Sequence, residues 1–193
     1  MANTRFIGIG HQARSGKDTF AWMLLDELRQ RGIDARRYGF ADALKAVCRV
    51  EYGMVGKDAR MLQQVGVEYR LGRRAGKALV SYVANTYDKG VTTVSAIPTP
   101  TVWIDACFDA IREDPPVVAI IPDTRFTNEA EAIKLGGGLI IKVDRPNRPS
   151  SGRDDSHPSE TELLTWPFDH IILNDGDLDT LRTKARRLAV ELV

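Results

Sequence analysis

Two cysteines in 193 residues, Cys48 and Cys107, are too few and too widely separated for a disulfide framework or a thiolate metal site. Both stand among apolar residues with helical spacing, which predicts buried free thiols in a reducing compartment. Nowhere does an apolar run approach the ~20 residues needed to cross a bilayer. The opening stretch MANTRFIGIG lacks the apolar region and cleavage site of a secretory leader. A cytoplasmic chain with no membrane partner is therefore expected. An excess of one charge is missing too: 27 Lys plus Arg oppose 26 Asp plus Glu, leaving +1. That balance removes the footprint of a dedicated binder of nucleic-acid polymers. Internal repeats, low-complexity tracts and an obvious interdomain linker are also absent. What is present is ordinary for a globular chain, with 43% hydrophobic and 27% charged residues, so disordered and fibrous classes are excluded. The length suits one domain with a small lid or insertion, and a core large enough to need no staples.

Short apolar runs alternate with helical patterns along most of the sequence. Arg5 to Gly10 reads as a buried strand, Ala35 to Phe40 as a second, Val117 to Ile121 as a third, and Leu139 to Val143 and His170 to Leu173 as two more. Helical periodicity marks Thr19 to Arg31, with Gly32 placed to end it. It also marks Asp42 to about Tyr52, Ala59 to Leu71, Asn128 to Leu135 and Asp177 to Val193. Such alternation predicts an α/β fold whose mainly parallel central sheet is covered by helices on both faces. Ligands in such sheets bind at the carboxyl ends of the strands. Two stretches depart from the pattern. Gly72 to Thr101 combines Arg73, Arg74 and Lys77 with β-favouring residues, and Asn147 to His157 is polar, rich in Pro and Gly, and reads as a surface loop.

Between the first strand and first helix stands GIGHQARSGKDT, residues 8–19. A phosphate loop needs small residues so that backbone N–H groups converge on an anion, a helix N-terminus, and a lysine that reaches the β- and γ-phosphates. Gly16, Lys17 and the helix beginning near Asp18 supply those parts. The match to G-x-x-x-x-G-K-[ST] departs twice: His11 occupies the first glycine position, with Gly10 before it, and Asp18 follows the lysine, with a hydroxyl only at Thr19. Aspartate is a hard oxygen ligand, so Asp18 can serve Mg²⁺ directly or through water. The alternative is a Gly-Lys-Asp-Thr turn that merely caps a helix.

The strand VVAII runs into PDTRFTNEAEAI, which sets Asp123 and Arg125 just beyond a strand end beside the phosphate loop, with Glu129 in the first turn of the next helix. A carboxylate there can organise Mg²⁺-bound water or accept a sugar hydroxyl, and an arginine can clamp a phosphate. A local Asp123–Arg125 ion pair with Asn128 as helix cap is the competing reading.

ARSGKDT (13–19), DTRFTNEAEAIKLGGGLIIKVDRP (123–146), HPSETEL (157–163) and DHIILNDGDLDTL (169–181) together resemble the bacteriophage deoxynucleoside monophosphate kinases. The resemblance implies a three-layer α/β/α P-loop kinase fold over residues 1–193, with 72–101 as an insertion or an acceptor or dimer region and 147–157 as a lid. It implies transfer of the γ-phosphoryl of ATP to a deoxynucleoside monophosphate, with Mg²⁺ bound by Asp18 and Thr19. In that pattern Arg14, Ser15, Gly16, Lys17, Asp18 and Thr19 hold the ATP phosphates, and Asn174, Asp175 and Gly176 touch its adenine. A plain Asn-Asp-Gly turn is the other reading of those last three. Asp123, Arg125 and Glu129 match the acceptor positions D-x-R-x-x-x-E. Ala13 stands where some relatives carry a lysine that touches the acceptor. ARMLQQVGV supplies Gln63 and Gly66 of an acceptor helix, with its arginine one place late at Arg60 and Val67 replacing a threonine. Trp103 matches a tryptophan near the acceptor base, against a reading as core packing.

Phosphoryl transfer asks for alignment and for positive charge near the transferring oxygens rather than covalent chemistry. The resemblance gives Lys17, Arg14, Arg125 and Asp123 those catalytic roles, names Arg145, Arg148 and Arg153 as candidate lid arginines, and requires no general base. It also implies a homodimer and, for a phage-encoded chain, the cytoplasm of the infected host cell. Two other classes stay open at this point: a P-loop kinase for dephospho-coenzyme A or phosphomevalonate, and a non-kinase nucleotide-binding ATPase subunit. The D-x-R-F-x-N-E run and the C-terminal motifs argue against the first.

Overall fold

The computed structural model describes residues 4–10, 12–71, 80–83, 91–94, 99–149 and 156–192. The chain divides into two compact units, one formed by Met1–Arg37 and Pro115–Val193, the other by Tyr38–Asp114.

The first unit opens with β1 (Arg5–Gly10) and α1 (Lys17–Gln30), followed by β2 (Ala35–Arg37). The second unit holds α2 (Phe40–Tyr52), α3 (Ala59–Arg70), the strands β3 (Val80–Val83) and β4 (Val91–Val94), and α4 (Val102–Glu113). The chain then completes the first unit with β5 (Val118–Thr124), α5 (Thr127–Leu135), β6 (Leu139–Asp144), α6 (Pro158–Thr161), β7 (His170–Leu173) and α7 (Leu178–Glu191).

Five parallel strands form the sheet of the first unit in the order β2-β5-β1-β6-β7. The central strand β1 is buried from Ile7 to Gly10, as its uninterrupted apolar run requires. Phe20, Leu24 and Leu28 recur on one face of α1 and pack with Leu181, Ala185 and Leu188 of α7 over Ile7, Ile9, Ile120 and Ile141. Helix α5 packs against β1 and β6, with Ala130 and Ile133 fully buried. The result is the expected α/β architecture of a parallel sheet with flanking helices.

In the second unit, β3 and β4 pair antiparallel. Phe40, Ala43, Leu44 and Val47 line the buried face of α2, and Trp103, Ala106, Cys107 and Ala110 that of α4. Cys48 and Cys107 are buried free thiols, as anticipated.

Several boundaries differ from those read in the sequence. The second strand stops at Arg37, because the spacing of Phe40, Ala43, Leu44 and Val47 already commits that stretch to a helix. β5 continues through Pro122 and Asp123 to Thr124, which stands opposite Gly10 in the sheet. Helix α5 begins at Thr127, so Asn128 lies inside it rather than capping it. The short helix α6 has no apolar periodicity to announce it; Pro158 at its start and the His157 ring, which accepts from the Ser159 N–H, set it up. No helix among the described residues is long and apolar enough to cross a membrane.

Candidate active site

The turn between β1 and α1 is built from backbone positions that only some residues tolerate. A side chain at Gly10 would bring its Cβ within 2.9 Å of the Thr124 carbonyl oxygen. Arg14 and Gly16 both adopt left-handed conformations, φ 60° and 92°, on either side of Ser15. Alternation of this kind turns successive N–H groups toward one point, and the N-terminus of α1 adds its positive end. Ser15 is buried at 1% exposure, and its Oγ has no hydrogen-bond partner among the described residues. A buried hydroxyl without a partner, set in an anion-binding turn, fits a phosphate oxygen. His11 lies outside the described residues.

Lys17 is the first residue of α1 and is buried, with Nζ 3.1 Å from Oδ2 of Asp18. Burial lowers its pKa below the usual lysine value, and the nearby positive charge of Arg125 lowers it further. Asp18 responds in the opposite sense. Partial desolvation opposes its charged form, but Lys17 beside it, with further help from the charges of Arg37 and Arg125, holds its carboxyl below the ordinary value. Asp18 and Thr19 are exposed at the mouth of the turn.

Asp123 occupies the penultimate position of β5, and its charge acts on Lys17. Arg125 follows the strand directly. Its backbone N–H donates to Oε2 of Glu129 at 2.8 Å, and so does that of Phe126 at 3.2 Å. Glu129 is only 2% exposed, so one of its oxygens closes the N-terminus of its own helix and fixes the turn that carries Arg125. The Arg125 guanidinium pairs with Glu160 through Nη1 at 2.5 Å.

Other predicted residues fall into distinct environments. Asn174 donates from Nδ2 to the Ser15 carbonyl at 2.9 Å, which brings it against the phosphate loop. Asp175 pairs with Lys184 of α7 at 2.8 Å, an interaction that keeps its carboxyl below the usual value, and Gly176 abuts Thr180. Arg148 donates to the Gln12 side chain at 3.1 Å and to the Ala13 carbonyl at 3.4 Å, whereas Arg145 is exposed. Arg153 lies outside the described residues, as do 150–155 of the expected lid and most of 72–101.

The acceptor-helix residues belong to the second unit. Gln63 and Val67 point outward from α3, whereas Gly66 is buried beneath Leu44. Trp103 is 2% exposed, donates from Nε1 to the Gly66 carbonyl at 3.4 Å and lies 5.3 Å from the Tyr69 ring. Gln63 and Val67 thus lie on the exposed side of α3 and Gly66 on its buried side, while Trp103, on α4, is a core side chain.

The stretch HPSETEL also holds Glu160, to which the sequence alone assigns no task. The structure buries that residue to 4% exposure, with Oε2 accepting from the Ala13 N–H at 2.7 Å. An acidic residue following a His-Pro helix start was the available signal, but nothing in the local pattern announced its burial. Gln12, which meets Arg148, carried no signal at all. Among the described residues, no three His, Cys, Asp or Glu gather as a self-sufficient metal cage. Asp18 and Thr19, both exposed, are the hard-oxygen side chains that follow Lys17 in the first turn of α1.

Residues 99–185 match the family model described as deoxynucleotide monophosphate kinase. A protein of Acanthamoeba polyphaga mimivirus, provisionally named a deoxynucleotide monophosphate kinase, is 40% identical over 72 residues, covering 37% of this chain and 36% of that protein. The deoxynucleotide monophosphate kinase of Enterobacteria phage T4 is 37% identical over 67 residues, covering 35% of this chain and 27% of its own length. The chain therefore spans about a third of the length of the curated relatives it matches. Among solved structures, the Mycobacterium tuberculosis APS kinase CysC in complex with AMPPNP and APS aligns over 99% of both chains, at 10% identity and a TM-score of 0.49. The matched stretch, residues 99–185, contains Trp103, Asp123, Arg125, Glu160 and Asn174, and over it the chain is similar to the deoxynucleotide monophosphate kinases.

Proposed function

We propose that this chain transfers the γ-phosphoryl group of ATP to a deoxynucleoside 5′-monophosphate, giving the diphosphate and ADP. The observation that carries the reading is the turn between β1 and α1, where the buried Ser15 hydroxyl has no partner among the described residues and buried Lys17 opens the helix. Lys17 is buried, yet Arg125 lies close enough to depress its pKa. Each cation has a carboxylate partner, Asp18 and Glu160, and two cations this near one another suit a polyanion such as a triphosphate facing a monophosphate. The similarity of residues 99–185 to deoxynucleotide monophosphate kinases supports the choice of acceptor.

In this reading the loop amides from Arg14 to Gly16, the Ser15 hydroxyl and Lys17 grip the β- and γ-phosphates. Asp18 and Thr19 would hold Mg²⁺, which when bound neutralises charge across those phosphates. Arg125 faces the oxygens that pass between donor and acceptor, with Arg14 beside the donor. Asp123 and Glu129 set the acceptor end, Asp123 by its charge and Glu129 by fixing the turn beneath Arg125. Asn174 holds the loop from the adenine side, next to Asp175 and Gly176. No side chain is asked to remove a proton, because the acceptor phosphate is already an anion. A homodimer in the cytoplasm of an infected host cell completes the proposal.

The test is ADP release from ATP and Mg²⁺ with dAMP, dGMP, dCMP and dTMP supplied one at a time. Release that requires at least one of them is expected. Equal release without acceptor would make the chain an ATPase, and no release with any of the four would move the search to other small phosphorylated acceptors.

A further inference from the structure

Glu160 joins the two halves of the candidate site through one buried carboxylate. Its Oε2 accepts from the Ala13 N–H at the entrance to the phosphate loop, and its Oε1 accepts from Arg125 Nη1 at the end of β5. The side chain is 1% exposed. A carboxylate is buried so completely only when partners offset its lost hydration, and these two partners come from different segments of the fold.

The way Arg125 is held is informative. A guanidinium has five N–H donors in a planar fork. Here Nη1 is taken by Glu160, with the Ser159 carbonyl 3.4 Å away, while Nε and Nη2 donate to nothing among the described residues. The fork is pinned at one corner and its remaining donors are left for another anion. Glu162 secures the same support from below, accepting from the Thr127 N–H at 3.0 Å at the start of α5. Ala13 is gripped twice as well, its N–H by Glu160 and its carbonyl by Arg148.

We infer that Glu160 is a positioning residue, which locks the Arg125 guanidinium to the phosphate loop so that its free donors face the transferring phosphoryl group. The inference rests on the kinase reading for what Arg125 faces, and on geometry alone for the lock. Glutamine cannot reproduce it: one amide oxygen can accept from Ala13 or from Arg125, and the NH₂ group then opposes a donor at the other.

The experiment combines a double-mutant cycle with a measurement that needs no turnover. In the wild-type background, Glu160→Gln should lower kcat about 10- to 100-fold, the scale of a misplaced catalytic group, with KM for ATP changed less than about threefold. In an Arg125→Ala background the same change should cost less than about threefold, because the group it positions is gone. Equal losses in both backgrounds would overturn the inference. Arg125→Lys keeps the charge without the fork and should lose nearly as much as Arg125→Ala; near-normal kcat would also overturn it, whether or not the Glu160 variant folds. Independently, nitrogen NMR of the Arg125 guanidinium should show hindered rotation about Cζ–Nη in the wild type, lost in Glu160→Gln. Free rotation in the wild type removes the lock. A hindered guanidinium in a chain that phosphorylates no nucleotide leaves the lock standing and sinks the kinase reading alone.

Discussion

The Asn174 side chain donates to the carbonyl of Ser15 at 2.9 Å across 159 positions of sequence, so the turn after β7 holds the phosphate loop directly. The Asn174 N–H is itself bonded to the Asp144 carbonyl at the end of β6, which gives the tie a rigid base. Removing the side chain with Asn174→Ala should weaken ATP binding about fivefold, the value of one net hydrogen bond of ~1 kcal/mol, with little change in melting temperature. The same contact explains Gly16. A Cβ there would stand 2.3 Å from Asn174 Nδ2, in a backbone with φ 92°. Gly16→Ala should therefore abolish measurable ATP binding, and Asn174→Ala should restore part of it by removing the clash but not the backbone strain. Calorimetric titration of the four variants with ATP checks this; a Gly16→Ala loss that is the same in both backgrounds would refute the contact.

Lys17 should cost the fold some stability as well as serve the site. Burial and the Arg125 charge depress its pKa in the folded chain below the value of 10.5 it has when unfolded. Between the two values the unfolded chain binds more protons, so stability rises with pH across that window. Below the folded pKa the full penalty is present. Lys17→Met should accordingly match or exceed the wild type in urea at pH 7 and lose that advantage as pH approaches 10.5, while turnover falls by orders of magnitude. A variant that unfolds more readily at pH 7 would show that Lys17 stabilises the turn.

Much of this arrangement is legible in the sequence because it depends on local chemistry. The run Arg5 to Gly10, the GKDT turn and the DTR segment are each defined by neighbours within a few positions, and they come together because parallel strands bring their carboxyl ends to one edge. Glu160 escaped the reading for the opposite reason. Its partners, Ala13 and Arg125, are 147 and 35 residues away, and a glutamate in a polar stretch looks solvated until the tertiary contacts are known. Trp103 shows the converse limit: a motif match and a core position are the same letter in a sequence, and only the burial against Gly66 and Tyr69 separates them.

Glu27 offers a test of the fold that is independent of the site. It is 2% exposed within α1 and accepts from Arg186 of α7 and from Arg31. Its hydrogen bond from Arg186, then that from Arg31, hold its carboxyl below the usual glutamate value against the opposing effect of burial. A depressed folded pKa adds stability above the unfolded value of 4.5, lost as pH falls through the folded pKa. Glu27→Gln should thus lower the melting temperature at pH 7 by several degrees, and the gap to wild type should close at the acid end of that range. A gap independent of pH would assign the loss to packing.

Trp103 provides the sharpest separation between a core residue and a substrate contact. Its ring fills the space between α3 and α4, and its Nε1 donates to the Gly66 carbonyl. Phenylalanine keeps most of the ring volume against Tyr69 and gives up one weak hydrogen bond. If packing is its whole task, Trp103→Phe should cost about 1–2 kcal/mol of stability, and Trp103→Ala about 3–5 kcal/mol. Because the change then acts on the unit as a whole, KM should shift by one common factor for every deoxynucleotide accepted. Denaturant unfolding and acceptor kinetics on the Phe variant measure the two effects separately. A change in KM confined to purine or to pyrimidine acceptors would mean that the indole reaches a base after all, which requires Trp103 to leave the buried position it has here.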